Sequence, residues 1–108
     1  LEFAEILDVE GKTEGAIDAY ERVLQTTPDN ADALNNLGVL FFKKKAYQKA
    51  LDCLNRANIN DPQRADIQNN LGALYLEMGK YDEAQHHFKA ALSIEQEVTA
   101  VESPSVSH

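Results

Sequence analysis

Leu34-Asn35-Asn36-Leu37-Gly38-Val39-Leu40-Phe41 is answered 34 residues later by Gln68-Asn69-Asn70-Leu71-Gly72-Ala73-Leu74-Tyr75. Leucine, glycine and an aromatic ring recur in one phase. A repeat of this length, with small residues at fixed places, marks stacked helical hairpins, each burying its apolar face only against its neighbours. A stack of hairpins presents a long concave groove rather than a closed catalytic cavity. The work it implies is holding a segment of protein.

The phase holds on either side of that stretch. Leu34, Leu37, Leu40 and Phe41 follow helical spacing, and Tyr47, Ala50, Leu51, Leu54 and Ala57 resume it on a second helix. Leu71, Leu74 and Tyr75, then Tyr81, Ala84, Phe88 and Ala91, do the same one repeat on. Full repeats therefore span 31–64 and 65–98, after a partial repeat over 1–30 in which Gly11 matches Gly79, Ala16 matches Ala50 and Pro28 matches Pro62. The expected domain covers residues 1–96. Beyond it, 97–102 prolong the last helix, and the Ser/Pro-containing end of the 97–108 stretch reads as a disordered tail.

The small residues have a mechanical role. Two helices approach closely only where one lacks a bulky side chain at the crossing, which Gly38 and Gly72 supply on first helices and Ala50 and Ala84 on second ones. Gly11 and Gly79 are expected where a first helix ends in a left-handed residue; Lys45 takes that place in the middle repeat, at a cost of about 1 kcal/mol. Pro28 and Pro62 close their hairpins, and Asn30 and Asp61 are expected to cap the helices that follow.

Leu34, Leu37, Gly38, Phe41, Tyr47, Ala50, Leu54, Ala57 and Pro62, with Leu71, Gly72, Tyr75, Gly79, Tyr81, Ala84, Phe88 and Ala91, resemble the tetratricopeptide repeat signature. The chain departs from it at Leu34 and Gln68 (often Trp), Lys45 (Gly), Thr13 (Tyr) and Gln96 (Pro). The resemblance implies an all-α, right-handed solenoid of antiparallel helix hairpins, here about two and a half to three repeats, used as a protein-binding scaffold.

The formal net charge is −8, from 18 acidic and 10 basic residues. Nucleic-acid backbones and anionic lipid surfaces favour basic proteins, so neither is an expected partner. Seven acids precede residue 29 against Lys12 and Arg22, whereas Lys43, Lys44, Lys45, Lys49 and Arg56 outweigh the aspartates of residues 29–62. No apolar run approaches the ~18 residues of a membrane span. The single cysteine, Cys53, excludes an internal disulfide, and a reducing, cytoplasmic compartment is the expectation.

Little in the chain suggests catalysis. Adjacent helical residues point about 100° apart, so His86 and His87 cannot chelate one metal together. Cys53 has no nearby histidine in sequence and reads as a half-buried structural thiol. No phosphate-cradling loop or nucleophile elbow is present. No enzyme activity, metal or cofactor is expected. The Lys43-Lys44-Lys45 run reads as cations complementing a helix C-terminus, with Lys43 able to face the groove.

In the family the first helix of each hairpin lines the concave face. Counting from Ala31, the resemblance places Asp32, Asn35, Asn36, Val39, Phe42 and Lys43 there, then Asp66, Asn69, Asn70, Ala73, Leu76 and Glu77, with Leu1, Glu2, Glu5, Asp8 and Val9 in the partial repeat. Asn36 and Asn70 are similar to the asparagine ladder of the O-linked N-acetylglucosamine transferase repeat domain, which holds peptide main chain; generic polar lining is the other reading. Val39, Phe42, Ala73 and Leu76 form an apolar strip, with Phe42 either a binding hot spot or a residue packed on the next hairpin. The cation set with which some family members clamp chaperone C-termini is missing, because Asp66 and Asn70 stand in two of its places.

The expected function is a non-catalytic module binding a neutral or basic peptide with an apolar anchor. The alternatives are a scaffold self-associating through its repeat edges, or the regulatory arm of a larger enzyme. Phe3, Ile6 and Leu7 read as a raw N-terminal edge, and polar Gln85, where Ile17 and Leu51 are apolar, predicts that the array ends at this C-terminus.

Overall fold

The computed structural model consists of helices α1 (Glu2–Thr26), α2 (Ala31–Lys43), α3 (Tyr47–Asn60), α4 (Ala65–Glu77) and α5 (Tyr81–Glu102). It describes residues 2–102, with side chains over 12–96. Phe3, Ile6 and Leu7, and everything expected of residues 103–108, lie outside the described side chains. α2 pairs with α3 and α4 with α5 across three-residue turns, α4 stacks on α3, and α1 lies along α2. This is a helical repeat solenoid.

The two short turns show why the helices stop where they do. Lys45 and Gly79 have φ of 64° and 78°. The amide of Ala46 reaches Phe41 O at 2.9 Å and that of Lys45 reaches Phe42 O at 2.8 Å; Lys80 to Tyr75 O and Gly79 to Leu76 O repeat the pair. Both are Schellman closures, which satisfy helix-end carbonyls at the cost of one left-handed residue. Asn30 caps α2 by accepting the Ala33 amide at 3.0 Å.

Two expected boundaries are corrected. Asp61 ends α3 instead of capping α4, whose N-cap is Arg64. Arg64 stands one repeat on from Asn30, so the cap kept its phase but lost its capping side chain. At the other end α1 runs unbroken through Gly11 and Gly15. A Cβ at Gly15 would meet nothing within 4 Å, so no close approach requires glycine there. Continuing the helix keeps every backbone group paired, which a turn at Gly11 does not guarantee.

The core follows the repeat. Leu34 of α2, Ala50, Leu54 and Ala57 of α3, and Ile67, Leu71 and Leu74 of α4 form one buried cluster. Ile17, Leu37 and Cys53 form a second beneath α1. At Gly38 a Cβ would lie 2.7 Å from Leu54 Cγ and 3.3 Å from the Ala50 carbonyl; at Gly72 it would lie 2.7 Å from Phe88 Cε1. Leu54 is fully buried and cannot yield, whereas Phe88 is 38% exposed and can swing outward.

Gly38→Ala is therefore expected to lower stability by about 1–2 kcal/mol through overpacking. Gly72→Ala should stay within about 0.5 kcal/mol, because better helix propensity offsets the displaced ring. Lys45→Gly should raise stability by about 1 kcal/mol by relieving the left-handed lysine. Denaturant melts of the three variants check this order.

Candidate functional site

α2 and α4, the first helices expected to line the groove, stand beside each other, and polar residues between them are wired to one another. Arg64, placed just before α4 by the Pro62 turn, grips Asp66 through Nε at 3.2 Å and Nη2 at 2.7 Å. Its other terminal nitrogen pairs with Asp32 of α2. Asp66 accepts from Asn35 Nδ2 at 3.4 Å, and Asn35 Oδ1 accepts from Asn70 Nδ2 at 2.8 Å. The run Asp32–Arg64–Asp66–Asn35–Asn70 thus stitches α2 to α4 and one repeat to the next. Arg64 holds the Asp66 carboxyl below its usual range, chiefly by hydrogen bonding, against the opposing effect of partial burial. Arg64 is itself held more firmly protonated by its bonds to Asp66 and Asp32.

This arrangement revises the expected lining. Asn35 is buried, serving as a link between helices and not as open groove surface. Asn36, Asp32, Lys43, Asn69 and Glu77 are exposed, while Asn70, Val39 and Ala73 are half-buried. Asn70 spends one amide hydrogen on Asn35, leaving the second and its carbonyl oxygen for a ligand. Glu5 and Asp8 lie outside the described side chains.

Arg64 adds a second cation beside Lys43 and pairs with two carboxylates. Sequence counting missed Arg64 because it belongs to the turn, outside the helix positions counted. Its signal was the acid two residues on, with another one repeat earlier.

The apolar strip divides. Phe42 packs edge-on against Tyr47, ring centres 5.9 Å apart, and against the main core cluster. It joins one hairpin to the next, and is not an open hot spot. Leu76 is 50% exposed and faces α5, lining a cleft with Tyr81, Phe88 and Leu92. Gln85 is exposed within that same apolar cleft, so one polar residue does not make this face a solvated end.

Two places bear on chemistry elsewhere. Cys53 is buried rather than half-buried, and burial, then the charge of Asp52, pushes its thiol up to about 11. A thiol so protonated is a poor nucleophile. Gln68, filling the family's usual Trp place, donates to Asn58 Oδ1 at 2.8 Å and turns Oε1 to His87 Nδ1, also at 2.8 Å. The His87 ring stacks on Tyr75 at 5.4 Å and meets His86 edge-on at 5.1 Å. Packing draws His87 in, while His86 is exposed. Among the described residues, no cluster of three metal-ligating side chains occurs and no helix is long and apolar enough to cross a membrane.

Tetratricopeptide repeat models match residues 10–74 and 65–97. No curated protein matches the chain. Among solved structures, a crystal structure of MamA superposes with a TM-score of 0.77 at 27% identity, over 82% of this chain and 52% of that one. A Thermobaculum terrenum O-GlcNAc transferase mutant superposes with a TM-score of 0.75 at 33% identity, over 78% of this chain and 16% of that one. The chain thus spans about half the MamA chain and a small part of the transferase.

His87 gives a pH dependence. Burial, then the charge of neighbouring His86, pushes the His87 imidazole below the ordinary histidine range. The unfolded chain therefore takes up this proton first as pH falls. The stability contributed by neutral His87 is complete above about pH 6.5 and is lost as pH drops through that value towards the folded pKa. Melting temperature should fall between about pH 7 and 5, and His87→Gln should flatten that part of the curve relative to the parent.

Proposed function

The chain belongs to the tetratricopeptide repeat family, and on that footing we propose that its concave face holds an extended peptide segment of a partner protein. A tetratricopeptide repeat region is a protein–protein interaction module of non-catalytic fold. The finer reading rests on the Asp32–Arg64–Asp66–Asn35–Asn70 chain. It fixes the floor of the groove while leaving amide capacity at Asn70, with exposed Asn36 one repeat away. An extended peptide offers alternating N–H and C=O groups, which asparagine amides satisfy from either side.

Val39 and Ala73 supply the half-buried apolar floor on which an anchor side chain rests. Charge discriminates only weakly. Arg64 offsets Asp32 and Asp66, and exposed Lys43 offsets Glu77, leaving one uncompensated carboxylate among these groups. A neutral or basic peptide suits that balance, and affinity is set mainly by amide contacts and the anchor.

A displayed peptide library selected on the chain should yield neutral or basic sequences with a bulky apolar residue, binding at about micromolar Kd. Asn36→Ala and Asn70→Ala should each weaken binding about five- to tenfold without changing the selected sequences. Ala73→Arg should abolish it by filling the floor. A pool dominated by acidic peptides, or one indifferent to all three substitutions, contradicts the groove reading.

A further inference from the structure

The hydrogen bonds that end at Asn70 run in one direction, and an ionised carboxylate sets it. Asp66 is held by Arg64 Nε at 3.2 Å, by Arg64 Nη2 at 2.7 Å and by the Ile67 amide at 3.0 Å. A carboxylate so held only accepts. Asn35 therefore meets it with its NH2 end, at 3.4 Å, and offers Oδ1 on the other side. An oxygen there demands a donor, and Asn70 supplies Nδ2 at 2.8 Å. Turning Asn35 over would set oxygen against oxygen at Asp66 and NH2 against NH2 at Asn70, and Asn35 is buried, with little water to repair either mismatch.

We propose that Asp66 is a positioning residue of the peptide site: it orders Asn35 so that Asn70 is held by its nitrogen and receives a peptide N–H on its carbonyl oxygen. The inference rests on the groove reading above and adds which backbone group is read, and by what. Asn70 Oδ1 takes no hydrogen bond among the described residues, and the side chain is only half-buried, so this acceptor is open to a ligand. Asn36 is exposed and has no such tie among the described residues, so it turns either end of its amide to a ligand. The two asparagines, equivalent by repeat, thus act differently: Asn70 selects a donor, and Asn36 adapts. Asp32 supplies the comparison, because it carries the same charge beside the same helices but pairs with Arg64 alone and does not reach Asn35. It adds to the field of the site without ordering an amide.

The probe is a peptide selected from the displayed library, remade with each backbone amide in turn replaced by an ester, which deletes one N–H. The position over Asn70 is the one whose ester penalty disappears in Asn70→Ala. There the ester should weaken binding to the parent chain about tenfold. In Asp66→Ala, where Asn35 and Asn70 can both turn over, the penalty should shrink to about twofold, and in Asp32→Ala it should stay near tenfold. The Asp66 and Asp32 side chains are 52% and 75% exposed, so both variants are expected to fold. The peptide-free chain is measured alongside, labelled with nitrogen-15 and carbon-13. A coupling across the hydrogen bond from Asn70 Nδ2 to the Asn35 side-chain carbonyl is expected in the parent and lost in Asp66→Ala. The coupling present with no peptide bound sinks the groove reading and this proposal with it. A peptide bound with the coupling absent from the parent sinks this proposal alone. No ester penalty over Asn70, a penalty undiminished in Asp66→Ala, or one diminished equally in Asp32→Ala also overturns it.

Discussion

The structure depends on how closely two helices of a hairpin can approach. At Gly38 the space where a Cβ would stand belongs to Leu54, and at Gly72 to Phe88. That approach brings Leu34, Leu54, Ile67, Leu71 and Leu74 into one cluster from which water is excluded. Each of these aliphatic side chains contributes about 1.5–3 kcal/mol by burial. Helices of 13 and 14 residues, as α2 and α3 are, are marginal on their own, so packing and not propensity holds them. The repeat geometry then determines every surface the molecule presents.

Two kinds of surface result. On the concave side, side chains of successive first helices meet, and this chain fills that meeting with a charged and amide relay from Asp32 to Asn70. Exposed ion pairs of this kind add little stability, but they restrict rotamers and give the groove a defined floor. At the end of the stack the same positions that form the internal α3–α4 interface are left apolar and open. One face is polar and ordered; the other is apolar and unpartnered among the described residues.

The hairpins were legible because their determinants are local and recur. Gly38 and Gly72 and the left-handed Lys45 and Gly79 could be placed by phase, and the cap at Asn30 by its residue type ahead of a helix. What phase could not supply was competition between packing and function. Asn35 and Asn69 are equivalent by number, yet Asn35 is buried against α4 while Asn69 is exposed, because only α2 has a repeat stacked on that side. Phe42 and Leu76 differ for the same reason. Gln68 was opaque because its partners are 19 and 10 residues away, on other helices, and Arg64 because it stands in the turn with its second carboxylate 32 residues off. The run of α1 through Gly11 shows the opposite failure, a glycine that matches Gly79 in phase yet does not end its helix.

The central claim is that a peptide bound by this chain lies across Asn36 and Asn70, over the relay that holds Asn70. Side-chain amide resonances of a nitrogen-15-labelled sample, followed during titration with a library-selected peptide, test it most directly. The account predicts that the Asn36 and Asn70 amides shift and broaden together, while those of Gln48 and Gln85 on the second helices stay in place. Shifts confined to Gln48 and Gln85, with Asn36 and Asn70 unmoved at saturation, would contradict it.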